Sequence, residues 1–343
     1  KMKKILFIVL FFVLIFFWYK ISVTPSYKTL DISAALGQAE RALKPNQTIV
    51  VFESKNPFNF YDIFNRINDT ADQNVFGILT KPDTIGQYPL IIGVAGSAGW
   101  GDHHYGYLER YLDMGFAVFS LHSFKSRNVE STVGEQLTVT IPMVIYDSFM
   151  ALQKLSIDNN IDSERAGIVG WSLGGGVSLF TAWSPIQQTI SPSHKFAAHL
   201  PFYPPCMIMP DDLSFTKSPI HILAGEIDDW VPAAACEELI EASNNVGYTI
   251  GITVYPGASH SFDRDQEVEY LDYAYSFTDC RLKISDDGVV STKNLGFPLS
   301  SPIMQKIGLA FCADKGTHWG GDKYARDHSM DFAKSFMQEH LMD

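Results

Sequence analysis

Three residue types that cooperate in acyl-group chemistry occur in this chain in the order serine, aspartate, histidine: Ser172, the adjacent pair Asp228 and Asp229, and His260. A serine hydroxyl is a poor nucleophile at neutral pH and needs a base within hydrogen-bond reach, itself oriented by a carboxylate. Ser172 sits at the centre of Gly170-Trp171-Ser172-Leu173-Gly174, preceded by the apolar run Ala166 to Val169 and followed by the helix-competent Val177 to Ala182. That order predicts a strand, a sharp turn and a helix. The turn would push the serine hydroxyl out at the edge of a sheet, and the glycines two residues to either side leave room for the tight crossing. The acid candidates follow Gly225 at the end of an apolar strand, where side chains of a parallel sheet meet a ligand. His260 follows Tyr255-Pro256-Gly257-Ala258-Ser259 directly after the last strand, whereas the rival His318 lies in the distant Gly316-Thr317-His318-Trp319-Gly320-Gly321.

An oxyanion that develops on an attacked carbonyl needs preorganised N–H donors. The backbone N–H of Leu173, next to the nucleophile, is one candidate, and Ser97 in the loop Gly96-Ser97-Ala98-Gly99-Trp100-Gly101 supplies the other. Trp100, Trp171, Phe202, Tyr203 and Trp230 flank these loops and are candidates for an apolar acyl pocket. The sequence contains no Cys-x-x-Cys, no His-Glu-x-x-His and no acidic calcium loop, so no metal site and no cofactor is expected. The adjacent His103 and His104 read as solvated loop residues.

The elements that must hold these groups alternate. Two β-type runs, Thr48 to Phe52 and Val75 to Thr80, are expected to pair antiparallel at a sheet edge. Tyr88 to Ala95 is apolar throughout, as in a strand buried between helix layers. Then follow a helix near 103–113, a strand Phe116 to Leu121, a helix near 138–156 and the strand into the serine turn. After the serine helix come strands at 196–203, 220–225 and 250–255, with a helix at 233–242 between the last two. Residues 263–312 read as irregular, and an amphipathic helix from Asp322 to Leu341, with Tyr324, Phe332, Phe336 and Leu341 as candidates for its buried side, closes the chain.

At 343 residues the chain can bury a substantial core. Outside residues 1–20 it holds 22 basic against 38 acidic residues, a net charge of −16, which argues against a nucleic-acid partner. Residues 1–20 differ: Lys3 and Lys4 precede an uninterrupted apolar run from Ile5 to Tyr19. As a helix this run spans ~22 Å, short of a ~30 Å hydrocarbon core, yet no small-x-small cleavage site follows closely. The expectation is an exported protein whose residues 1–20 are a signal peptide or, in preference, a membrane anchor, followed by a juxtamembrane spacer at 21–47 with a short helix at 33–43, and one catalytic domain at 48–343. The export route makes two disulfides among the four cysteines reasonable, with three possible pairings.

From about residue 48 onward the chain resembles the dienelactone-hydrolase-like family of α/β hydrolases. The likeness rests on Phe76-Gly77-Ile78-Leu79-Thr80-Lys81-Pro82, the Gly96 loop, His122-Ser123-Phe124-Lys125-Ser126-Arg127, the serine turn, Asp228-Asp229-Trp230-Val231-Pro232, Gly257-Ala258-Ser259-His260-Ser261-Phe262-Asp263 and the closing segment from Gly316. It implies an α/β-hydrolase fold, a mostly parallel sheet flanked by helices on both faces. The family's Gly-x-x-Asp-x-x-Val-Pro spacing points to Asp228 rather than Asp229. Two departures stand out. Ser172 replaces the cysteine that dienelactone hydrolases use, and Ala95 occupies the histidine position of the oxyanion loop. The serine implies an esterase-like acyl hydrolase. Cys206 and Cys236 then lie above neighbouring strands and Cys280 and Cys312 bracket the insertion, so the expected bridges are Cys206–Cys236 and Cys280–Cys312.

The reading is a serine hydrolase of small-molecule carboxylic esters acting through an acyl-enzyme, with membrane contact only through the N-terminal segment. A peptidase or acyltransferase with the same triad, or a non-catalytic binding protein on this fold, are the alternatives; oligomeric state is not legible.

Overall fold

The computed structural model describes residues 29–342. Both the apolar run Ile5 to Tyr19 and the proposed anchor or signal therefore lie outside the described residues. In chain order the elements begin with helix α1 (Ser33–Ala42), strand β1 (Gln47–Lys55), helix α2 (Phe60–Asn65), β2 (Asp72–Thr80), β3 (Tyr88–Val94), α3 (Asp102–Asp113), β4 (Ala117–Leu121), α4 (Ile141–Leu155) and β5 (Ile161–Trp171). They continue with α5 (Leu173–Phe180), α6 (Ser184–Ile190), β6 (Ala198–Phe202), β7 (Ile208–Pro210), β8 (His221–Gly225), α7 (Ala233–Asn245), β9 (Gly251–Tyr255), β10 (Glu269–Ser276), β11 (Leu282–Ile284), β12 (Val290–Thr292), α8 (Pro302–Leu309), β13 (Asp314–Trp319) and α9 (Lys323–Leu341).

Eight strands form one sheet in the order β1-β2-β4-β3-β5-β6-β8-β9. β1 and β2 pair antiparallel at the edge and β2 meets β4 antiparallel; from β4 onward every pairing is parallel. The central strands are apolar because both faces are covered: Leu90, Ile91 and Ile92 of β3 and Ile168 and Val169 of β5 are fully buried. This is the α/β-hydrolase architecture, with helices on both faces. Gly167 of β5 shows how closely one layer is packed, since a Cβ there would lie 2.7 Å from Leu341 and 2.9 Å from Met337 of α9.

A buried ion pair ties the antiparallel edge to this core. Arg127 reaches Asp147 of α4 with two hydrogen bonds, Nη1 to Oδ2 at 2.7 Å and Nη2 to Oδ1 at 3.0 Å, while its Nε donates to Asn56. Ser54 of β1 donates to the same carboxylate at 2.6 Å. The arginine of the His122 to Arg127 segment is thus part of the framework.

The structure departs from the sequence expectation in three places. The segment from Thr29 is not a free spacer: Ile32 and Ala35 pack on Phe76, the Gln73 side chain bonds both the N–H and the carbonyl of Leu30, and Asn128 donates to Asp31. Residues 263–312 are not irregular. They hold β10, which pairs with β13, the strands β11 and β12, which join β7 in a three-stranded sheet of order β12-β11-β7, and helix α8. Strands of three residues are too short to show periodicity. Finally, α9 buries Phe336 and Leu341 of the expected four, but Phe332 is only half-buried and Tyr324 is 66% exposed, and Ala325, Ser329, Ala333 and Met337 complete the buried side. Small residues let this helix approach closely enough for Ser329 to bond the Tyr107 hydroxyl at 2.8 Å.

Both disulfides join the expected pairs, Cys206 to Cys236 and Cys280 to Cys312. Extracellular and periplasmic compartments favour such bonds. Among the described residues no helix is long and apolar enough to cross a membrane.

Candidate active site

At the C-terminal end of β5 the chain reverses through Ser172, whose φ of 55° and ψ of −113° lie outside the regions comfortable for an L-residue. The reversal is possible only because the residues two positions to either side, Gly170 and Gly174, lack side chains. A Cβ on Gly170 would fall 1.9 Å from the Gly174 carbonyl oxygen, and one on Gly174 would fall 2.1 Å from that of Val94. The backbone is anchored by Ser172 N–H donating to Phe202 O at 3.0 Å.

Loops at the ends of three parallel strands converge on this turn. Ser172 Oγ lies 2.9 Å from His260 Nε2 and His260 Nδ1 lies 2.7 Å from Asp228 Oδ2. The other oxygen of Asp228 accepts the N–H groups of Trp230 and Val231, each at 2.9 Å. This loop fixes the carboxylate, and the carboxylate in turn fixes the tautomer with the proton on Nδ1, leaving Nε2 to accept from the serine. His260 and Asp228 are buried, and the imidazole is held between the rings of Tyr203 and Trp230, whose centroids are 4.7 and 4.8 Å away. The sequence rivals pair with each other elsewhere: Asp229 accepts from the backbone N–H and ring of His318 at 2.8 and 2.7 Å, toward the surface.

Ser97 and Leu173 both border the space in front of Ser172. Neither backbone N–H is bonded to a protein acceptor among the described residues. The Leu173 N–H opens helix α5, where the helix dipole adds positive potential. Gly96 allows the close approach: a Cβ there would meet the Trp171 carbonyl oxygen at 3.0 Å and Ser172 Cβ at 3.2 Å.

Two cavities open beside Ser172. The larger takes in about 900 Å³ of space, open solvent included, and is lined largely by apolar side chains; the smaller, about 300 Å³, contains His260, Ser261, His104, Arg264 and Trp319. Of the sequence candidates for the pocket, Trp230 lines both cavities and Trp171 and Tyr203 line the smaller. Trp100 and Phe202 line neither. Trp100 donates its Nε1 hydrogen to Leu121 O and stacks on Tyr105, and Phe202 is fully buried against Tyr107 and Trp171, so both are packing residues.

Some participants escape the sequence reading. Arg264, four residues after His260, brings its guanidinium 3.8 Å above the Trp319 ring at the smaller cavity. Burial holds His104 well below the usual histidine range, and its Nδ1 accepts from the Gly101 N–H at 3.1 Å. The His103-His104 pair is thus enclosed rather than solvated, and His103 is also pushed down by burial. Burial, with the Asp263 carboxylate beside it, raises the Tyr203 phenol well above its ordinary value; its hydroxyl donates to Asp263 at 2.7 Å. Among the described residues five non-glycine residues have positive φ, and four of them, Gln136, Ser172, Tyr203 and Ser261, line the two cavities. Backbone strain concentrated this way is a mark of functional sites.

The profile described as the dienelactone hydrolase family matches residues 75–278. A protein of Synechocystis sp. named "Putative carboxymethylenebutenolidase" is 23% identical over 226 residues, which cover 61% of this chain and 90% of that one. Among solved structures, a dienelactone hydrolase-like promiscuous phosphotriesterase from metagenomic libraries superimposes with a TM-score of 0.55 at 13% identity, over 86% of this chain and 99% of the other. Thermogutta terrifontis esterase 2, phosphorylated by paraoxon, gives 0.50 at 13% identity over 86% and 94%. At such identities the structural likeness concerns the fold.

Proposed function

The chain belongs to the dienelactone hydrolase family, and we propose that it is a serine hydrolase that cleaves carboxylic esters through an acyl-enzyme. The observation that carries this reading is the continuous hydrogen-bond relay Ser172–His260–Asp228, ending beside two unbonded N–H groups. His260 Nε2 accepts the Ser172 proton as Oγ attacks the acyl carbon, and Asp228 stabilises the imidazolium. The Ser97 and Leu173 N–H groups receive the oxyanion. The tetrahedral species collapses as His260 returns the proton to the leaving alcohol, and water, activated by the same histidine, then releases the acid. This cycle moves protons only between groups of the chain, substrate and water, and we propose that it needs no cofactor.

Residues 48–343 form the proposed catalytic domain, to which the segment from Thr29 adds its packing. Its two disulfides support an oxidising compartment, and the apolar run Ile5 to Tyr19 is the segment that would carry it to or hold it at a membrane. The test is turnover of p-nitrophenyl acetate by wild type and Ser172→Ala, with folding checked by circular dichroism. Loss of a triad nucleophile costs up to ~10⁶ in rate. A variant that keeps more than a hundredth of wild-type activity would rule out Ser172 as nucleophile.

A further inference from the structure

We propose that the larger cavity is an acyl-chain pocket selecting uncharged, extended aliphatic acyl groups, walled in large part by residues 277–309; this deepens the ester-hydrolase reading and rests on it. His260 decides which cavity takes which half of the ester. Its Nε2 must return a proton to the leaving oxygen, and His260 lines only the smaller cavity. The alcohol therefore leaves on that side, and the acyl chain extends into the larger one, which Leu173 borders; Ser172 and Ser97 border both and stand where the two cavities meet the reacting carbon.

The walls explain the selection. Residues 277–309 contribute Phe277, Leu282, Val290, Leu299 and Leu309, and further lining comes from Phe58, Phe60 and the stretch Val139 to Pro142 that leads into α4. No lysine, arginine or histidine side chain is among the lining residues. Most of the polar side chains there hold partners within the protein: Asn59 Oδ1 accepts from Asp62 N–H and its Nδ2 donates to Ser300 O, Thr140 Oγ1 donates to Pro57 O, Gln305 Nε2 donates to the Gln136 carbonyl, and Gln136 Oε1 accepts from Ser97 Oγ. A chain entering this space gains apolar contact, whereas a carboxylate would lose hydration and meet no cation among the lining residues. The walls are braced as well as apolar. Cys206 lies between Pro205 and Met207 of the lining, Cys280 between Phe277 and Leu282, and Cys312 three residues after Leu309, so both disulfides brace the pocket wall.

The experiment measures kcat/KM of the disulfide-bonded protein on p-nitrophenyl acetate, butyrate and hexanoate and on the p-nitrophenyl monoester of adipic acid, which matches hexanoate in length and ends in a carboxylate. Each buried methylene is worth about 0.8 kcal/mol, or about fourfold. Hexanoate should therefore exceed acetate on the order of 10²-fold, and the adipate monoester should fall at least about 100-fold below hexanoate. Val290→Trp, which fills part of the pocket, should cut the hexanoate-to-acetate ratio at least about tenfold. A flat or falling chain-length profile, or equal use of the adipate ester, with acetate still turned over, would overturn the pocket assignment and leave the hydrolase reading intact. No turnover of any ester would remove both.

Discussion

Replacing Asp228 by Asn should stop the proposed catalysis without disturbing the shape of the site, and the hydrogen bonds around this residue say why. One carboxylate oxygen accepts two backbone N–H groups, from Trp230 and Val231, and the other accepts His260 Nδ1–H. An asparagine would have to turn its amide oxygen toward the two backbone donors, because presenting its NH₂ there would set donor against donor at 2.9 Å. The NH₂ then faces His260 Nδ1, which can only accept. The imidazole proton moves to Nε2, and the ring can no longer take a proton from Ser172. In the serine-protease precedent this tautomer error costs about 10⁴ in kcat. Asp229→Asn is the matched control, because Asp229 pairs with His318 near the surface and touches neither Ser172 nor His260. Initial rates on p-nitrophenyl butyrate should put the first variant about 10⁴ below wild type and the second within about tenfold. A loss under tenfold for Asp228→Asn, or an equal loss at Asp229, would refute the reasoning.

Gly174→Ala should destabilise the fold by about 3 kcal/mol or more, because its Cβ would meet the backbone carbonyls of Val94 and Ala95 at 2.1 and 2.7 Å; urea unfolding within 1 kcal/mol of wild type would contradict this. Arg127→Met leaves the Asp147 carboxylate buried without its cation and should cost about 3–5 kcal/mol by the same measurement, with Asp147→Leu added to it recovering part of the loss. Burial pushes His122 down to about 3 and His199 down to about 4, so both stay neutral in the folded protein where the unfolded chain takes up protons below 6.5. Their contribution is complete above pH 6.5 and is lost as pH falls through the folded values, about 4 for His199 and about 3 for His122, by ~3 kcal/mol each at pH 4.5. Unfolding free energies that are equal at pH 7.5 and 4.5 would show that these histidines are not held neutral.

Local pattern carried the sheet and the serine turn because each is encoded by neighbours in sequence. β3 is apolar at almost every position, and glycines at 170 and 174 sit where a side chain would strike backbone. The proposed acid and base, Asp228 and His260, are legible for the same reason, each lying one loop beyond an apolar strand. What the pattern could not carry was anything set by distant packing. The larger cavity draws on residues near 58, 140, 207 and 290, far apart in the chain. The three-residue strands β11 and β12 are too brief for an alternation to register, and the buried stripe of α9 uses Ala325, Ser329 and Ala333, so the aromatic Tyr324 misdirects the helical pattern. Phe202 points into the core and Trp100 packs half-buried on Tyr105 with its Nε1 bonded to Leu121 O, a distinction that nearness to the site in sequence does not contain. One signal was available and went unread: apolar residues recurring through the otherwise polar stretch between Cys280 and Cys312 mark a buried wall.

The central claim, that Ser172 is acylated during turnover, is tested most directly by trapping. The purified protein is treated with a fluorophosphonate, and separately quenched in acid during turnover of a slowly released ester, and the adduct is located by peptide mass spectrometry. The account predicts one adduct per chain in each case, on the peptide containing Gly170-Trp171-Ser172-Leu173-Gly174 and on the serine itself, with none in Ser172→Ala. Ester turnover accompanied by an adduct on another residue, or by no adduct in either experiment, would contradict it.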